Sequence, residues 1–250
     1  MGQITALLLL FLCVHPVHAK DVAYDLSSAN KAYQEGSFPQ AIDQYEQLRA
    51  QGLDHWILYY DLGNAYYKAG QSGKAAANYL RAFRRNPSDR DLVFNLNKVL
   101  TEAGDPLLPE GGLAQFLWRL YFGFPIALLA GIVALLATTM AIGGGVSILG
   151  MWRQRPAIEI WVLAGVLLFF FGSWFYMRYS ASHRLEGVVV LPTAEVRSGP
   201  SSTYPTSFTI PAARRVLLLS DQESVKGWLH IGVPKEGLKG WIAQADVDVL

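Results

Sequence analysis

A long stretch without charge limits what this chain can fold into. Between Arg119 and Arg153 there is no charged residue, and Phe122–Ile142 within it supplies about the 20 apolar residues that a membrane-spanning helix needs. A second uncharged stretch runs from Ile160 to Met177. We therefore predict a transmembrane hairpin with a first helix in region 118–150, a turn at 151–157 and a second helix at 158–178.

The overall composition agrees with membrane insertion. Of 250 residues 52% are hydrophobic, whereas the 21 basic and 20 acidic side chains nearly cancel. Without a basic patch, the chain lacks the electrostatic footprint of a nucleic-acid-binding protein. The only cysteine, Cys13, leaves no partner for an internal disulfide.

The N-terminus has the pattern of an export signal. An apolar run leads to Val17-His18-Ala19, so residues 1–19 are predicted to be a signal peptide, although an uncleaved anchor is also compatible with the pattern. Arg153 and Arg155 favour a cytoplasmic turn, and Arg178 and Arg184 count against it. With an exported N-terminus, both flanking regions are expected on the outer side of the membrane.

Glycines mark a repeat in the region before the hairpin. Gly36, Gly70 and Gly104 are each separated by 34 residues. The second copy carries a set of aromatic, small and proline residues in the same frame: Tyr59, Leu62, Gly63, Tyr66, Gly70, Ala75, Tyr79, Ala82 and Pro87. This pattern resembles the tetratricopeptide repeat (TPR), which implies an α-helical solenoid at 20–104 with two repeats and a capping helix, followed by a linker at 105–117.

The TPR resemblance implies a concave groove lined by the first helix of each pair. The groove residues it indicates are Asn30, Tyr33, Tyr60, Asn64, Tyr67, Lys68, Phe94 and Lys98. Asn30 and Asn64 are equivalent positions, and an asparagine there often hydrogen-bonds the backbone of an extended peptide in this family. The alternative is that both asparagines merely face water.

Four arginines lie at the end of the predicted helix that contains Ala75 and Tyr79. Arg81, Arg84, Arg85 and Arg90 lie in its last turns and just beyond, where cations stabilise the helix macrodipole. We interpret them as a solvated face in preference to an anion-binding site.

From Glu186 the pattern changes to short β-rich runs. These are Gly187–Leu191, Val216–Leu219, Trp228–Val233 and Gly240–Ala243. Residues 196–201 and the pairs Gly227-Trp228 and Gly240-Trp241 resemble bacterial SH3 domains, which implies a small all-β barrel at 186–250. Tyr204, Trp228 and Trp241 are candidates for a contact surface, and the alternative is that both tryptophans belong to the core.

The motifs of catalysis and metal binding are missing from the sequence. The five histidines show no ligand spacing. Gly70–Lys74 ends like a phosphate loop, but Lys68 stands where that motif requires its first glycine, and Ala75 stands where it requires Ser or Thr. We therefore predict no catalytic residues, no cofactor and no metal, and a protein that is not an enzyme.

The order of segments resembles the BatE-type proteins of bacterial aerotolerance operons. This resemblance implies a two-pass inner-membrane protein whose TPR and SH3-like regions lie in the periplasm. It also implies partners with von Willebrand A domains and a MoxR-type ATPase, and hence an envelope scaffold or adaptor. An alternative is a cell-wall tether that binds peptidoglycan through the SH3-like region.

Overall fold

The structure is a computed structural model of the chain. It describes residues 25–109, 112–148, 158–182, 184–219, 225–234 and 236–250. The predicted signal peptide at 1–19 and the predicted turn at 151–157 lie outside the described residues.

Five antiparallel helices form the first part of the chain. They are α1 (Ser27–Gln34), α2 (Phe38–Ala50), α3 (Trp56–Lys68), α4 (Ser72–Arg85) and α5 (Arg90–Glu102). Gly36, Gly70 and Gly104 follow α1, α3 and α5 with φ of 76°, 74° and 68°. Only glycine adopts this left-handed conformation without strain, so the 34-residue spacing marks the end of the first helix in each repeat.

Small residues allow the paired helices to approach closely. A Cβ placed on Gly63 of α3 would lie 2.5 Å from Cδ1 of Tyr79 in α4. Ala75 of α4 is fully buried in the same core. Side chains larger than those of Gly63 and Ala75 would therefore keep α3 and α4 apart.

The first long apolar helix begins later than its sequence pattern predicts. Helix α6 (Gly112–Gly123) occupies much of the predicted linker 105–117 and ends before Pro125, after which α7 (Ile126–Ile148) starts. Proline lacks the N–H that a continuous helix requires. Residues 118–123, which we assigned to the first membrane helix, therefore belong to a separate helix.

Two helices of the described chain are long and apolar enough to cross a membrane. The candidate spans are Ile126–Val146 in α7 and Ile160–Ala181 in α8 (Ile158–Ser182), with 21 and 22 residues. Their side chains are largely exposed. The helices meet at Gly143, where an added Cβ would lie 2.0 Å from the Trp161 ring, so this glycine serves close helix packing.

Helix α6 connects the TPR helices to the hairpin. Trp118 packs against Phe83 of α4 with ring centroids 6.2 Å apart. At the other end, Arg178 of α8 donates hydrogen bonds to the carbonyl oxygens of Tyr121 and Phe124. These carbonyl groups lie in the last turn of α6 and just after it, where a cation stabilises the helix macrodipole.

An antiparallel sheet forms the C-terminal part. Its strands are β1 (Glu186–Val189), β2 (Thr193–Arg197), β3 (Thr206–Pro211), β4 (Arg215–Leu218), β5 (Trp228–Gly232), β6 (Lys239–Ala243) and β7 (Val247–Val249). Their order is β3-β2-β6-β5-β4-β1-β7, and no pairing of described residues joins β3 to β7 to close a barrel. Strands β2, β3 and β7 are additional to the four predicted runs.

The sheet shares a core with the TPR helices. Val188 and Val189 of β1 are both fully buried, but they face opposite ways: Val188 packs in the helical core and Val189 in the core of the sheet. Helix α4 approaches β1 so closely that a Cβ on Gly73 would lie 2.4 Å from the carbonyl oxygen of Val189.

Ion pairs surround this contact. Arg81 of α4 donates to both carboxylate oxygens of Asp248 in β7 at 2.9 and 2.5 Å, and its side chain is 16% exposed. Arg84 pairs with Glu186 of β1 at 3.1 Å. Our interpretation of these arginines as a solvated face is wrong for Arg81, which is largely buried against an acid 167 residues away in the sequence, whereas Arg84 is exposed although it pairs with Glu186.

A buried carboxylate anchors the sheet to the end of α5. Asp105 is 8% exposed and accepts a hydrogen bond from Nε of Arg215 at 2.7 Å. Arg214 lies 3.3 Å from the other carboxylate oxygen and donates to the carbonyl of Gly104. These two arginines neutralise a charge that would otherwise be costly to bury.

We expect Gly73→Ala to loosen the contact between α4 and the sheet. The new Cβ would meet the backbone of Val189 and Val190, which cannot move aside as a flexible side chain does. Overpacking of this kind costs about 1–3 kcal/mol. Hydrogen exchange in detergent micelles should show faster exchange of the β1 and β7 amides, with the amides of α1 and α2 unchanged.

Gly172→Ala in α8 is the matched control, because a Cβ there meets nothing within 4 Å. Unchanged protection of β1 and β7 in Gly73→Ala would contradict the close docking of α4 on the sheet.

Candidate protein-binding groove

Two adjoining cavities form a groove on α1, α3 and α5. One has a volume of about 240 Å³ and is lined by Asn30, Tyr33, Gln34, Tyr45, Asp61 and Asn64. The other has about 160 Å³ and is lined by Tyr33, Asn64, Tyr67, Lys68, Tyr79, Asn95 and Lys98. Because both include Tyr33 and Asn64, they are direct neighbours.

The two equivalent asparagines are fixed in the same way. The Tyr45 hydroxyl donates to Oδ1 of Asn30 at 2.6 Å, and the Tyr79 hydroxyl donates to Oδ1 of Asn64 at 2.8 Å. Burial raises the pKa of both tyrosines well above 10, so the hydroxyls remain protonated donors. In the described part of the chain Nδ2 of Asn30 donates no hydrogen bond and is left as an amide donor at the groove, whereas the Asn64 side chain also interacts with the hydroxyl of Tyr60.

A third amide extends this arrangement. Nδ2 of Asn95 in α5 donates to Oδ1 of Asn64 and to the hydroxyl of Tyr60, both at 3.1 Å. Sequence reasoning missed Asn95, Tyr45 and Tyr79 as groove residues. The 34-residue period contains the signal for them, because Tyr45 and Tyr79 are equivalent, as are Asp61 and Asn95.

One end of the groove is basic. Nζ of Lys98 lies over the Tyr67 ring at 4.9 Å from its centroid, and Lys68 is exposed beside it. Neither lysine forms an ion pair with any carboxylate that the structure describes. Tyr60 and Phe94, also predicted as groove residues, line neither cavity, and Phe94 is 62% exposed.

The other end holds a carboxylate. Asp61 of α3 is half-buried, and burial raises its pKa from 3.8 to about 6. Within the described ranges its carboxylate accepts no hydrogen bond and pairs with no cation. An ionised acid in such surroundings is destabilising until a donor or cation reaches it.

The candidate residues of the sheet differ in accessibility. Tyr204 is 47% exposed and packs against Gly199, where a Cβ would lie 2.7 Å from its ring. Trp228 is half-buried, whereas Trp241 is 7% exposed and stacks on His230 with centroids 5.0 Å apart.

Among the residues described, no group of three or more His, Cys, Asp or Glu could hold a metal ion.

We expect stability to depend on pH through Asp61. Since its pKa is higher in the folded chain than in the unfolded chain, folded molecules hold more protons between pH 4 and 6. The free energy of unfolding therefore falls as pH rises through this window. Asp61→Asn removes the effect and should raise stability at pH 7.5 by about 1–2 kcal/mol, after allowance for partial exposure, but not at pH 4.

Thermal unfolding of the full chain in detergent at both pH values measures this difference. Tyr33 and Tyr45, which also line this cavity, have pKa values raised above 10 and stay neutral throughout the range. Asp43→Asn, at an exposed position of α2, is the control and should change stability at neither pH. An Asp61→Asn effect of equal size at pH 4 would exclude ionisation as its cause.

A comparison with protein families agrees with the helical architecture. The model of the tetratricopeptide repeat family matches residues 26–90 and, again, residues 60–106. No curated protein matches the chain. Among solved structures, the crystal structure of PcrH in complex with the chaperone binding region of PopD is similar at 14% identity and a TM-score of 0.29, covering 58% of this chain and 86% of that chain. The helical region thus carries tetratricopeptide repeats, and the two cavities lie on the first helices of its repeats.

Proposed function

We propose that this protein is a non-enzymatic, membrane-anchored adaptor whose TPR groove binds an extended segment of a protein partner. The observation that carries the proposal is the pair of equivalent asparagines. Each has its Oδ1 held by a buried tyrosine hydroxyl, and Nδ2 of Asn30 has no acceptor among the described residues. Donors fixed in this way suit the carbonyl groups of an extended backbone, since they lose little freedom on binding.

The groove is also accessible in the assembled chain. The sheet packs on α4 through Gly73, Arg81 and Arg84, whereas the cavities lie on α1, α3 and α5. Tyr79 faces the groove from the opposite side of α4 to Arg81, since positions two apart on a helix point about 160° from each other. A bound segment would therefore not compete with the sheet.

Membrane anchoring by α7 and α8 is part of the same proposal. Both helices carry apolar side chains that are largely exposed, as lipid contact requires. The hydroxyls of Thr138 and Thr139 donate to carbonyl oxygens of α7 itself, which leaves no unpaired hydroxyl toward lipid at these positions. The groove and the sheet would then lie together on the periplasmic side.

The more specific assignment rests on the resemblance to BatE-type proteins. On that reading the C-terminal sheet is an SH3-like domain, and the groove serves an envelope complex with von Willebrand A domain proteins and a MoxR-type ATPase. The alternative, a cell-wall tether, depends on an aromatic surface for peptidoglycan. Of its three candidate aromatics, Trp241 is 7% exposed and Trp228 is half-buried, which leaves Tyr204 as the exposed one, and we favour the adaptor for this reason.

Photo-crosslinking from position 67 in intact cells tests the adaptor. Tyr67 lines the groove, so a photoreactive residue there should capture a reproducible protein partner, identified by mass spectrometry. Asn64→Ala should reduce the capture by roughly tenfold, as expected for the loss of a hydrogen bond of about 1–1.5 kcal/mol. Asn86→Ala, outside the groove, is the matched control, and capture unaffected by Asn64→Ala would contradict groove binding.

Phosphatase fusions test the membrane arrangement. Alkaline phosphatase requires an oxidising compartment for its disulfides. We expect fusions after Gly104 and after Leu250 to be active and a fusion at Gln154 to be silent. Activity at Gln154 would overturn the two-pass arrangement with both flanking regions outside.

A further inference from the structure

The groove is polarised by charge along its length. Asp61 lies in the cavity that extends toward α1 and α2, whereas Lys68 and Lys98 line the cavity that extends toward α5. The shared residues Tyr33 and Asn64 separate the two ends. An extended segment that lies across the groove must therefore meet a negative end and a positive end.

The surroundings of Asp61 are polar but supply no cation. Its cavity is lined by the side chains of Asn30, Tyr33, Gln34, Tyr45 and Asn64. The Tyr45 hydroxyl already donates its hydrogen bond to Oδ1 of Asn30 and is therefore not available to Asp61. Several arginines of the described chain bind other acids near the TPR helices, namely Asp54, Asp105 and Asp248.

The size of the cavity allows an entering side chain. Its volume of about 240 Å³ is several times the roughly 30 Å³ that one water molecule occupies in the liquid. A carboxylate at the wall of such a space gains most from a charged donor, because charge-assisted hydrogen bonds are about twice as strong as neutral ones.

We infer that the segment bound in the groove carries a lysine or arginine whose cationic group enters this cavity and pairs with the Asp61 carboxylate. The inference rests on the proposed function and specifies the chemistry of the partner. At the opposite end Lys68 and Lys98 outnumber the Glu102 carboxylate, which accepts a hydrogen bond from the Tyr67 hydroxyl, so a basic side chain is disfavoured there and the charges favour one direction of the segment. The amide donors of Asn30 and Asn64 hold the backbone between the two ends.

Selection from a phage-displayed library of random peptides tests this inference. A peptide of about 12 residues is long enough, since an extended chain advances about 3.3 Å per residue and adjacent helices are 8–10 Å apart. The library is selected on the full chain in lipid nanodiscs, in parallel with Asp61→Asn and Asp61→Lys. Asp43→Asn, at an exposed position on α2, is the matched control for loss of an acid.

Wild type and Asp43→Asn should enrich peptides with Lys or Arg at one fixed position. Asp61→Asn should reduce that enrichment by about tenfold or more, and Asp61→Lys should replace it by Asp or Glu at the same position. Asparagine is nearly isosteric with aspartate, so Asp61→Asn separates charge from folding.

The remaining outcomes distinguish this inference from the function on which it rests. Peptides that lack a fixed basic position, or keep it equally on Asp61→Asn, would overturn the Asp61 pairing. If their binding is still lost on Asn64→Ala, the groove remains a peptide site and the adaptor stands. No enriched peptide on wild type would overturn both.

Discussion

Helix α4 is buried on two opposite sides, and the arrangement of the other segments depends on it. Ala75, Ala76 and Ala77 are all fully buried, although three consecutive residues of a helix point in directions that span about 200°. One side packs against α3 and α5, and the other against β1 and β7. Small side chains are necessary here because both neighbours lie close to the helix axis.

This double burial connects the groove to the sheet. Tyr79 reaches the groove from one side of α4, while Gly73 and Arg81 contact β1 and β7 on the other. A helix fixed by a bidentate ion pair and by backbone contact has little freedom to rotate, so the hydroxyl that orients Asn64 is held indirectly by the sheet. Removal of the sheet should therefore weaken the groove without touching any of its residues.

Much of the helical fold could be predicted from local signals. The glycines at 36, 70 and 104 predict helix ends because their backbone conformation is a local property. The uncharged stretches predict the two long apolar helices, because a helix with apolar residues at nearly every position is visible in a short window of sequence. Pro125 was an equally local signal that the first span begins after it, and the continuous apolar pattern concealed it. Asn30 and Asn64 followed from the resemblance to tetratricopeptide repeats, whereas Asn95 was missed.

The contact between the helices and the sheet could not be predicted, since it joins residues more than 100 positions apart. Gly73 looks like any small residue of a helix turn, and Arg81 and Arg84 look like cations at a helix end, until their acidic partners are placed beside them.

The state of the Asp61 carboxylate could not be predicted either, because it too depends on residues that are distant in the sequence. Its sequence position, 34 residues before Asn95, identifies a groove residue, but only the structure shows a carboxylate that has no cation among the described residues. A charge left in this state is informative about a ligand because the buried Asp105 has two arginines and the partly exposed Asp248 has one. Asp61 instead lies in the cavity where a partner would bind.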